Sequence, residues 1–348
     1  MFLDFFGLKE QPFGVTPDPR YLYLSPGHRE ALASLYYGIE ANRGFMSLIA
    51  PPGMGKTTLL FHLLTKFDRT ARTAFLFQTQ CSSREFIRFL LAEIGIESDS
   101  QDFVRMHEQF NRCLVQEARS GKRFIVVIDE AQNLDASVLE TVRLLSDFET
   151  PQAKLLQIIL VGQPGLADKL ASPSLIQLRQ RITSVSGLSP LSREETGKFI
   201  DHRLQVAGYQ GAKLFAPDAQ DLIAQASEGI PRQINNYCFH ALSLACAMGQ
   251  RVVDIGMVHE ILHDLDITRF QSELGSHLPR PAVNEPPADP FHPVEELPGA
   301  IRQHVRQTMS IDSANDYLSP AEAIEHMRDV ARLLHNWRSG SGRGRHSA

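Results

Sequence analysis

The sequence predicts an α/β fold: a domain with a five-stranded parallel sheet, followed by a small all-helical domain. Between about residues 31 and 190, short apolar runs alternate with longer helical patterns, which is typical of parallel strands joined by crossover helices. After residue 190 the strand-like runs end and helix-start signals take over. These observations predict an α/β domain at 1–190, which includes an N-terminal lead-in, and a helical lid domain at 191–267.

Each predicted strand is a short apolar run bounded by polar or turn-forming residues. The runs are FMSLIA, TAFLFQ, FIVVID, LQIILVG and TSVSGL, at 45–50, 73–78, 124–129, 156–162 and 183–188. Five such strands with helices between them predict a three-layer domain, in which the sheet lies between two layers of helices.

Helix-start and helix-end residues characterise the second domain. Ser192 and Glu195, in the stretch SREE, have the spacing of a capping box. Pro217 and Pro231 suit the first turn of a helix, and Gly229 suits a helix end. The segment is therefore predicted to contain helices only.

The composition changes again after the lid domain. Residues 279–298 contain seven prolines, which resist packing and predict a largely flexible linker at 268–318. The stretch SPAEAIEHMRDVARLLHNW, at 319–337, repeats apolar residues at helical spacing and predicts one amphipathic helix within the end segment 319–348. We expect a helix in this position to bind a partner or a second copy of itself.

Composition and charge exclude several classes of protein. The 348 residues carry a net charge of −5, so no overall basic field attracts nucleic acid or an anionic membrane. The four cysteines form no CxxC pair, as in chains with reduced thiols. No signal-peptide pattern is present, and no run reaches the roughly 18 apolar residues that span a bilayer. We expect a cytoplasmic protein without a transmembrane segment, for which any contact with the inner membrane is peripheral.

The stretch IAPPGMGKTTLL, at 49–60, predicts a phosphate-binding loop for ATP. An apolar strand leads into a glycine-containing turn and then into a helix, whose N–H groups and positive end hold phosphates. Lys56 would add a positive charge, and the Thr57 hydroxyl would ligate Mg²⁺. The candidate nucleotide-binding residues are Pro52, Gly53, Met54, Gly55, Lys56, Thr57 and Thr58. Ala50 stands where the pattern G-x-x-x-x-G-K-[ST] has its first glycine.

The stretch FIVVIDEAQNL, at 124–134, predicts the acidic part of the same site. Asp129 and Glu130 follow an apolar strand, at the carboxyl edge where ligands of parallel sheets bind. Asp129 would hold Mg²⁺, directly or through water, and Glu130 would polarise the attacking water as a general base. A solvated strand end is the structural alternative. Since a protein that only binds ATP has no evident use for the glutamate, the pair favours hydrolysis.

Together with these motifs, four further stretches resemble the AAA+ ATPases, in particular the general secretion pathway protein A group. They are YLYLSPGHREALASLYYGI, LLQIILVGQPGL, LRQRI and EGIPRQINNYC, at 21–39, 155–166, 178–182 and 228–238. The resemblance covers residues 1 to about 267. The chain departs from the group at Ala50, and nothing after residue 267 resembles the membrane span and peptidoglycan-binding module of its secretion-pathway members.

The resemblance implies two contacts outside the phosphate loop. Tyr23 and Leu24 match the stretch that lies against the adenine, although an aromatic residue packing the lead-in is the structural alternative. Arg232 matches sensor 2, an arginine at the start of a lid helix that reaches the γ-phosphate and closes the lid. The alternative for Arg232 is a pair with Glu228.

The resemblance also implies residues that act in hydrolysis. Gln163 matches sensor 1, a polar side chain that positions the attacking water, with ordinary strand-end capping as the alternative. Arg181 matches the arginine finger that one subunit supplies to its neighbour, with Arg179 as a second candidate. A finger acts only between subunits, so an ATP-dependent oligomer of this chain is expected.

Three functions remain open from the sequence. The first is an ATP-hydrolysing switch or motor that assembles or remodels a protein complex at the cell envelope, in secretion or polysaccharide export. The second is a DNA-binding ATPase that assists transposition or target selection, for which the basic stretches RTAR and GKR, at 69–72 and 121–123, are the support. The third is a scaffold that binds ATP without turning it over, which would not require Glu130 or Arg181.

Overall fold

The computed structural model describes residues 2–77, 80–97, 102–149 and 154–265. It therefore contains the predicted α/β and helical segments. The predicted linker at 268–318 and the predicted helix at 319–337 lie outside the described residues.

Five parallel strands form a single sheet. They are β1 (Phe45–Ile49), β2 (Ala71–Leu76), β3 (Arg123–Ile128), β4 (Leu156–Gly162) and β5 (Ser184–Gly187). The strand order is β2-β3-β4-β1-β5, so β1 lies between β4 and β5. The predicted five-stranded parallel sheet is confirmed, and β2 begins and ends two residues earlier than the sequence predicts. Its pairing with β3 explains the shift, since it runs from Ala71 opposite Arg123 to Leu76 opposite Ile128.

Helices cover both faces of the sheet. They are α2 (Pro26–Glu40), α3 (Lys56–Thr65), α4 (Ser83–Glu93), α5 (Phe103–Arg119), α6 (Ala136–Leu145), α7 (Pro164–Ala171) and α8 (Ile176–Arg181), whereas α1 (Phe2–Phe6) belongs to the lead-in. Alternate residues of β3 point to opposite faces. Phe124 and Val126 join the core formed with α4, α5 and α6. Ile125 and Val127 join the core formed with α2 and α3.

Among the described residues, four helices follow the sheet, in agreement with the all-helical prediction. They are α9 (Arg193–Val206), α10 (Pro217–Ala226), α11 (Pro231–Ala247) and α12 (Ile255–Asp264). Ser192 and Glu195 form the predicted capping box at the start of α9. Pro217 and Pro231 each occupy the first turn of a helix. These helices share one hydrophobic core, separate from the two cores of the sheet.

The N-terminal lead-in packs on the helical domain, whereas the sequence groups it with the α/β domain at 1–190. Phe2, Phe6 and Phe13 belong to the core of the lid helices. Two hydrogen bonds reinforce this packing: Lys9 N–H donates to the Ala207 carbonyl at 2.8 Å, and Arg203 Nε donates to the Pro12 carbonyl at 2.6 Å. The sequence could not predict this assignment, because the aromatic residues of the lead-in indicate that the segment packs on a domain but not which domain it packs on.

Gly229 lies directly against the backbone of Leu191. Its φ is +70°, and a Cβ at this position would lie 2.0 Å from the carbonyl oxygen of Leu191. Leu191 N–H donates in turn to the Gly229 carbonyl at 2.9 Å. The segment before α9 is thereby joined to the segment before α11, and only glycine fits the contact.

We expect Gly229→Ala to lower the free energy of unfolding by about 4 kcal/mol, because the strain of a left-handed alanine adds to a clash with backbone. Gly249→Ala is the matched control. Its φ is +69°, but nothing lies within 4 Å of the added Cβ. The control should lose about 1–2 kcal/mol, from backbone strain alone. Urea unfolding measures both, and equal losses would contradict the clash.

Candidate functional site

The predicted phosphate loop connects the carboxyl end of β1 to the start of α3. Gly53 and Gly55 have φ values of +80° and +83°, which other residues rarely adopt. Gly55 is the N-cap of α3, so the free N–H groups of the first helical turn face the loop. Ala50 is buried, lacks a positive φ and donates its N–H to the Gly162 carbonyl at 3.1 Å. The backbone at position 50 therefore does not require a glycine, and alanine can occupy it.

Lys56 lies buried inside the loop. Its ammonium donates to the carbonyl oxygens of Ala50 and Pro51, at 2.9 and 3.1 Å. Burial lowers the pKa of Lys56, while the carboxylates of Glu130 and Asp129 act in the opposite direction. An ammonium has three donors, so one remains for an oxygen of a bound anion.

Asp129 and Thr57 meet at the bottom of the loop. The Thr57 hydroxyl donates to Asp129 Oδ2 at 2.9 Å, although the two residues are 72 positions apart. Asp129 is 3% exposed, and this burial raises the pKa of its carboxyl group. The hydrogen bonds from Glu130 N–H and the Thr57 hydroxyl act in the opposite direction.

Glu130 is held by two amide side chains. Its carboxylate accepts hydrogen bonds from Gln163 Nε2, at 3.1 Å, and from Gln132 Nε2. Gln132 Oε1 also accepts the backbone N–H of Gln163, at 3.0 Å. Lys169 secures this arrangement by donating to the Gln132 carbonyl at 2.6 Å. Glu130 itself has a φ of +52°, in the left-handed region.

A cavity of about 220 Å³ lies above the loop. The phosphate loop, the acid Glu130 and Gln163 form one wall. Lid residues form the second wall, and the lead-in forms the third. Of the predicted nucleotide-binding residues, the cavity is lined by Pro52, Gly53, Met54, Gly55, Lys56, Thr57, Thr58, Tyr23 and Arg232.

The two predicted base contacts differ in position. Tyr23 lines the cavity and also packs edge-on against Phe199, with ring centroids 6.2 Å apart. Leu24 does not line it and packs against the hydrophobic core beside α2 and α3. The adenine contact expected of the two residues stays a prediction, with Tyr23 at the cavity and Leu24 away from it.

Arg232 starts α11 directly against the phosphate loop. Its backbone N–H donates to the Gly53 carbonyl at 3.1 Å. A Cβ on Gly53 would lie 2.9 Å from Cβ of Arg232 and 3.0 Å from Ile230, so the loop and the lid touch closely. Among the ion pairs of the described residues, Arg232 has none with Glu228, the alternative partner.

Arg181 lies away from this cavity. Its guanidinium forms an ion pair with Asp147 and a 3.0 Å hydrogen bond with the Ser146 hydroxyl, at the end of α6. The side chain remains about one-third exposed. The structure thus does not bring Arg181 to the loop of its own chain, and a position at the surface is what a role in a neighbouring subunit requires.

The cavity also includes residues that sequence reasoning missed. Arg203 is 9% exposed, and its guanidinium carbon lies 4.8 Å from the ring centroid of Tyr21. Burial lowers the pKa of Arg203 to about 10. His28, Phe199 and Asn235 are further examples. Nothing in their spacing marks them, because their contribution depends on how the lead-in and the lid fold against each other.

The described ranges contain neither a membrane-spanning helix nor a further cluster of metal-binding side chains. No described helix is long and apolar enough to cross a membrane. No group of three or more His, Cys, Asp or Glu side chains is arranged there to hold a metal ion.

Comparison with known proteins agrees with this geometry. Residues 39–170 match a family described as an AAA domain. Over 279 residues the chain is 38% identical to general secretion pathway protein A of Aeromonas hydrophila, covering 78% of this chain and 48% of that protein. An uncharacterized HTH-type transcriptional regulator of Methanocaldococcus jannaschii is 31% identical over 236 residues, or 66% and 54% of the two chains. The chain thus spans about half the length of these relatives.

Solved structures share the fold at low sequence identity. The ORC2 protein of Aeropyrum pernix, in ADPNP–ADP complexes, has a TM-score of 0.60 at 17% identity, over 78% of this chain and 75% of that one. The Drosophila ORC bound to DNA has a TM-score of 0.55 at 16% identity, over 77% and 67%. At such identities the likeness concerns the fold alone.

Proposed function

Because this chain belongs to the AAA+ ATPases and is related to general secretion pathway protein A, we propose that it binds ATP in the loop cavity and hydrolyses it. The chain would act as a nucleotide-driven switch or motor. One observation carries the proposal: the Glu130 carboxylate is held by two amides at the wall of the same cavity as Lys56 and Thr57. Binding alone would not need that carboxylate.

Different groups of the chain would bind different parts of ATP. The free N–H groups at the start of α3 would hold the phosphates, and Lys56 would direct its remaining N–H to a phosphate oxygen. Arg232 would approach from the lid, where its backbone already contacts Gly53. Tyr23 and the other lead-in residues would form the base end of the cavity.

A magnesium ion fits the loop. Thr57 Oγ1 and Asp129 Oδ2 lie 2.9 Å apart at the start of α3, and both are the oxygen ligands that Mg²⁺ prefers. When bound, the ion would neutralise charge on the phosphate oxygens. Thr57 would contribute its hydroxyl, and Asp129 would act directly or through a water.

Glu130 would accept a proton from the attacking water. Gln163 and Gln132 donate to the same carboxylate oxygen, Oε2, and thereby fix the carboxylate group. The other oxygen, Oε1, is then available to orient the water. The two glutamines would therefore position the base without titrating themselves.

We expect Glu130→Gln to reduce ATP turnover at least 100-fold, because the amide cannot accept the proton. Its affinity for ATP should change less than about threefold. Glu194→Gln, at an exposed carboxyl on α9, is the control and should keep normal turnover. Steady-state phosphate release and titration with a fluorescent ATP analogue measure the two quantities. If the wild type binds ATP but never turns it over, the scaffold interpretation replaces this one.

Gln132→Ala should lower kcat about tenfold, because Glu130 loses one donor and the Gln163 N–H loses its acceptor. Gln132→Glu should lower kcat further, since it places a second negative charge beside Glu130. ATP affinity should stay within about threefold for both variants. Unchanged kcat in both would mean that Gln163 alone positions the base.

We further propose that Arg181 acts in the site of a neighbouring copy. Arg181→Ala should lower turnover about 1,000-fold while ATP affinity is kept. Mixing Arg181→Ala with Lys56→Ala should restore part of the activity, because the first variant supplies an intact loop and the second an intact arginine. Arg179→Ala, in the same helical turn, is the control and should be nearly normal.

A failed restoration in the mixture would contradict action between subunits. It would leave Arg181 as the surface partner of Asp147. Sizing of the wild type with and without ATP and Mg²⁺ gives an independent measure, since the proposal requires an ATP-dependent oligomer.

For the client, we propose a cell-envelope complex. The support is the 38% identity to a protein named for general secretion. A DNA client is the second candidate, because one relative is named a transcriptional regulator and one structure of the same fold is bound to DNA. Wild-type ATP turnover measured with and without duplex DNA separates them. Stimulation by DNA would favour the second candidate over the first.

A further inference from the structure

His28 lies beside the phosphate loop, in the first turn of α2. It is only 3% exposed. Its Nε2 lies 3.1 Å from the carbonyl oxygen of Met54, in the middle of the loop. Its Nδ1 lies 2.7 Å from Oγ of Ser25, the N-cap of the same helix. The ring thus bridges α2 and the loop.

These two contacts fix the tautomer of the ring. A carbonyl oxygen can only accept, so Nε2 must carry the proton. Burial lowers the pKa of His28, which favours the neutral ring, and Nδ1 is then an acceptor. The Ser25 hydroxyl therefore donates a hydrogen bond to Nδ1. Its oxygen in turn accepts a hydrogen bond from the backbone N–H of His28, at 3.3 Å. Each polar atom of the pair is satisfied in this one arrangement.

The contact determines the direction of a loop N–H group. The peptide bond between Met54 and Gly55 is trans, so its carbonyl and its N–H point in opposite directions. Because the carbonyl points at His28, the Gly55 N–H points away from it. Within the described residues this N–H has no protein acceptor. Gly55 is also the N-cap of α3, where backbone N–H groups receive anions.

We propose that His28 is a positioning residue for the phosphate site: as a neutral Nε2–H donor it holds the Met54 carbonyl and thereby aims the Gly55 N–H at the bound phosphate. The inference rests on the proposed binding of ATP. Without the bridge, the Met54–Gly55 peptide is freer to rotate, because Gly55 tolerates φ values that other residues rarely adopt. The cost would then appear in nucleotide affinity.

Two isosteric amides separate this role from simple packing. In His28→Gln the terminal amide reaches the position of Nε2 and keeps a donor for Met54. In His28→Asn the shorter amide reaches only the position of Nδ1. The full-length wild type and both variants are titrated with ATP and ADP, and each is unfolded thermally without nucleotide.

His28→Asn is expected to weaken ATP and ADP binding about tenfold, the effect of one lost hydrogen bond. His28→Gln is expected to stay within about threefold of the wild type. If the two variants lose affinity equally, or if the loss follows the fall in melting temperature, His28 only fills space and the proposal is overturned. A wild type that binds no ATP would instead refute the proposed function.

The bridge itself is measured without nucleotide. Long-range ¹⁵N–¹H spectra of the histidine-labelled full chain report the tautomer of each ring, and the His28→Gln spectrum identifies the resonances of His28. The expected result at pH 7.5 is a neutral ring protonated at Nε2. Substitutions outside the bridge should leave this tautomer unchanged. Ser25→Ala should keep the Nε2 proton, because the Met54 carbonyl still accepts from it. A ring protonated at Nδ1 in the wild type would overturn the proposal even if ATP binding fails.

Discussion

The parallel register of β1, β3 and β4 is the constraint on which the site depends. Ile49 pairs with Gly162, and Ile128 pairs with Leu160, so the three strands end at one edge of the sheet. The segments that leave these ends are the phosphate loop, the acidic pair and the segment of Gln163. Backbone pairing therefore brings together groups that are more than 100 positions apart in the chain. The hydrogen bond from Thr57 to Asp129 then joins the first two segments.

The parts that the sequence predicts well are those governed by local rules. Buried strands, helix caps and the glycine-containing loop each have a pattern within about ten residues, and the sheet follows from their alternation. Gln132 shows where such reasoning ends. It lies in a three-residue 3₁₀ turn with no periodicity, and its role exists only because Glu130 adopts a left-handed φ and turns its carboxylate toward two amides.

The lead-in shows a second limit. Its aromatic residues predict packing, but the choice between the sheet and the lid depends on Arg203, which is buried between Tyr21 and Phe199 and bonds the Pro12 carbonyl. Since the lead-in shares the lid core, it would move with the lid rather than with the sheet. Two of the three cavity walls therefore belong to one packed unit.

The contact at Gly53 joins the phosphate loop of the sheet domain to the lid. The Arg232 N–H donates to the Gly53 carbonyl, and the side chains of Arg232 and Ile230 leave no space for a Cβ on Gly53. On its other side the loop is held by His28 through Met54. The loop is thus held from two sides, by α2 and by the start of α11, and both hydrogen bonds are accepted by its main-chain carbonyls. Because packed contacts of this kind do not deform gradually, a side chain added at Gly53 would disturb the start of α11 as well as the loop.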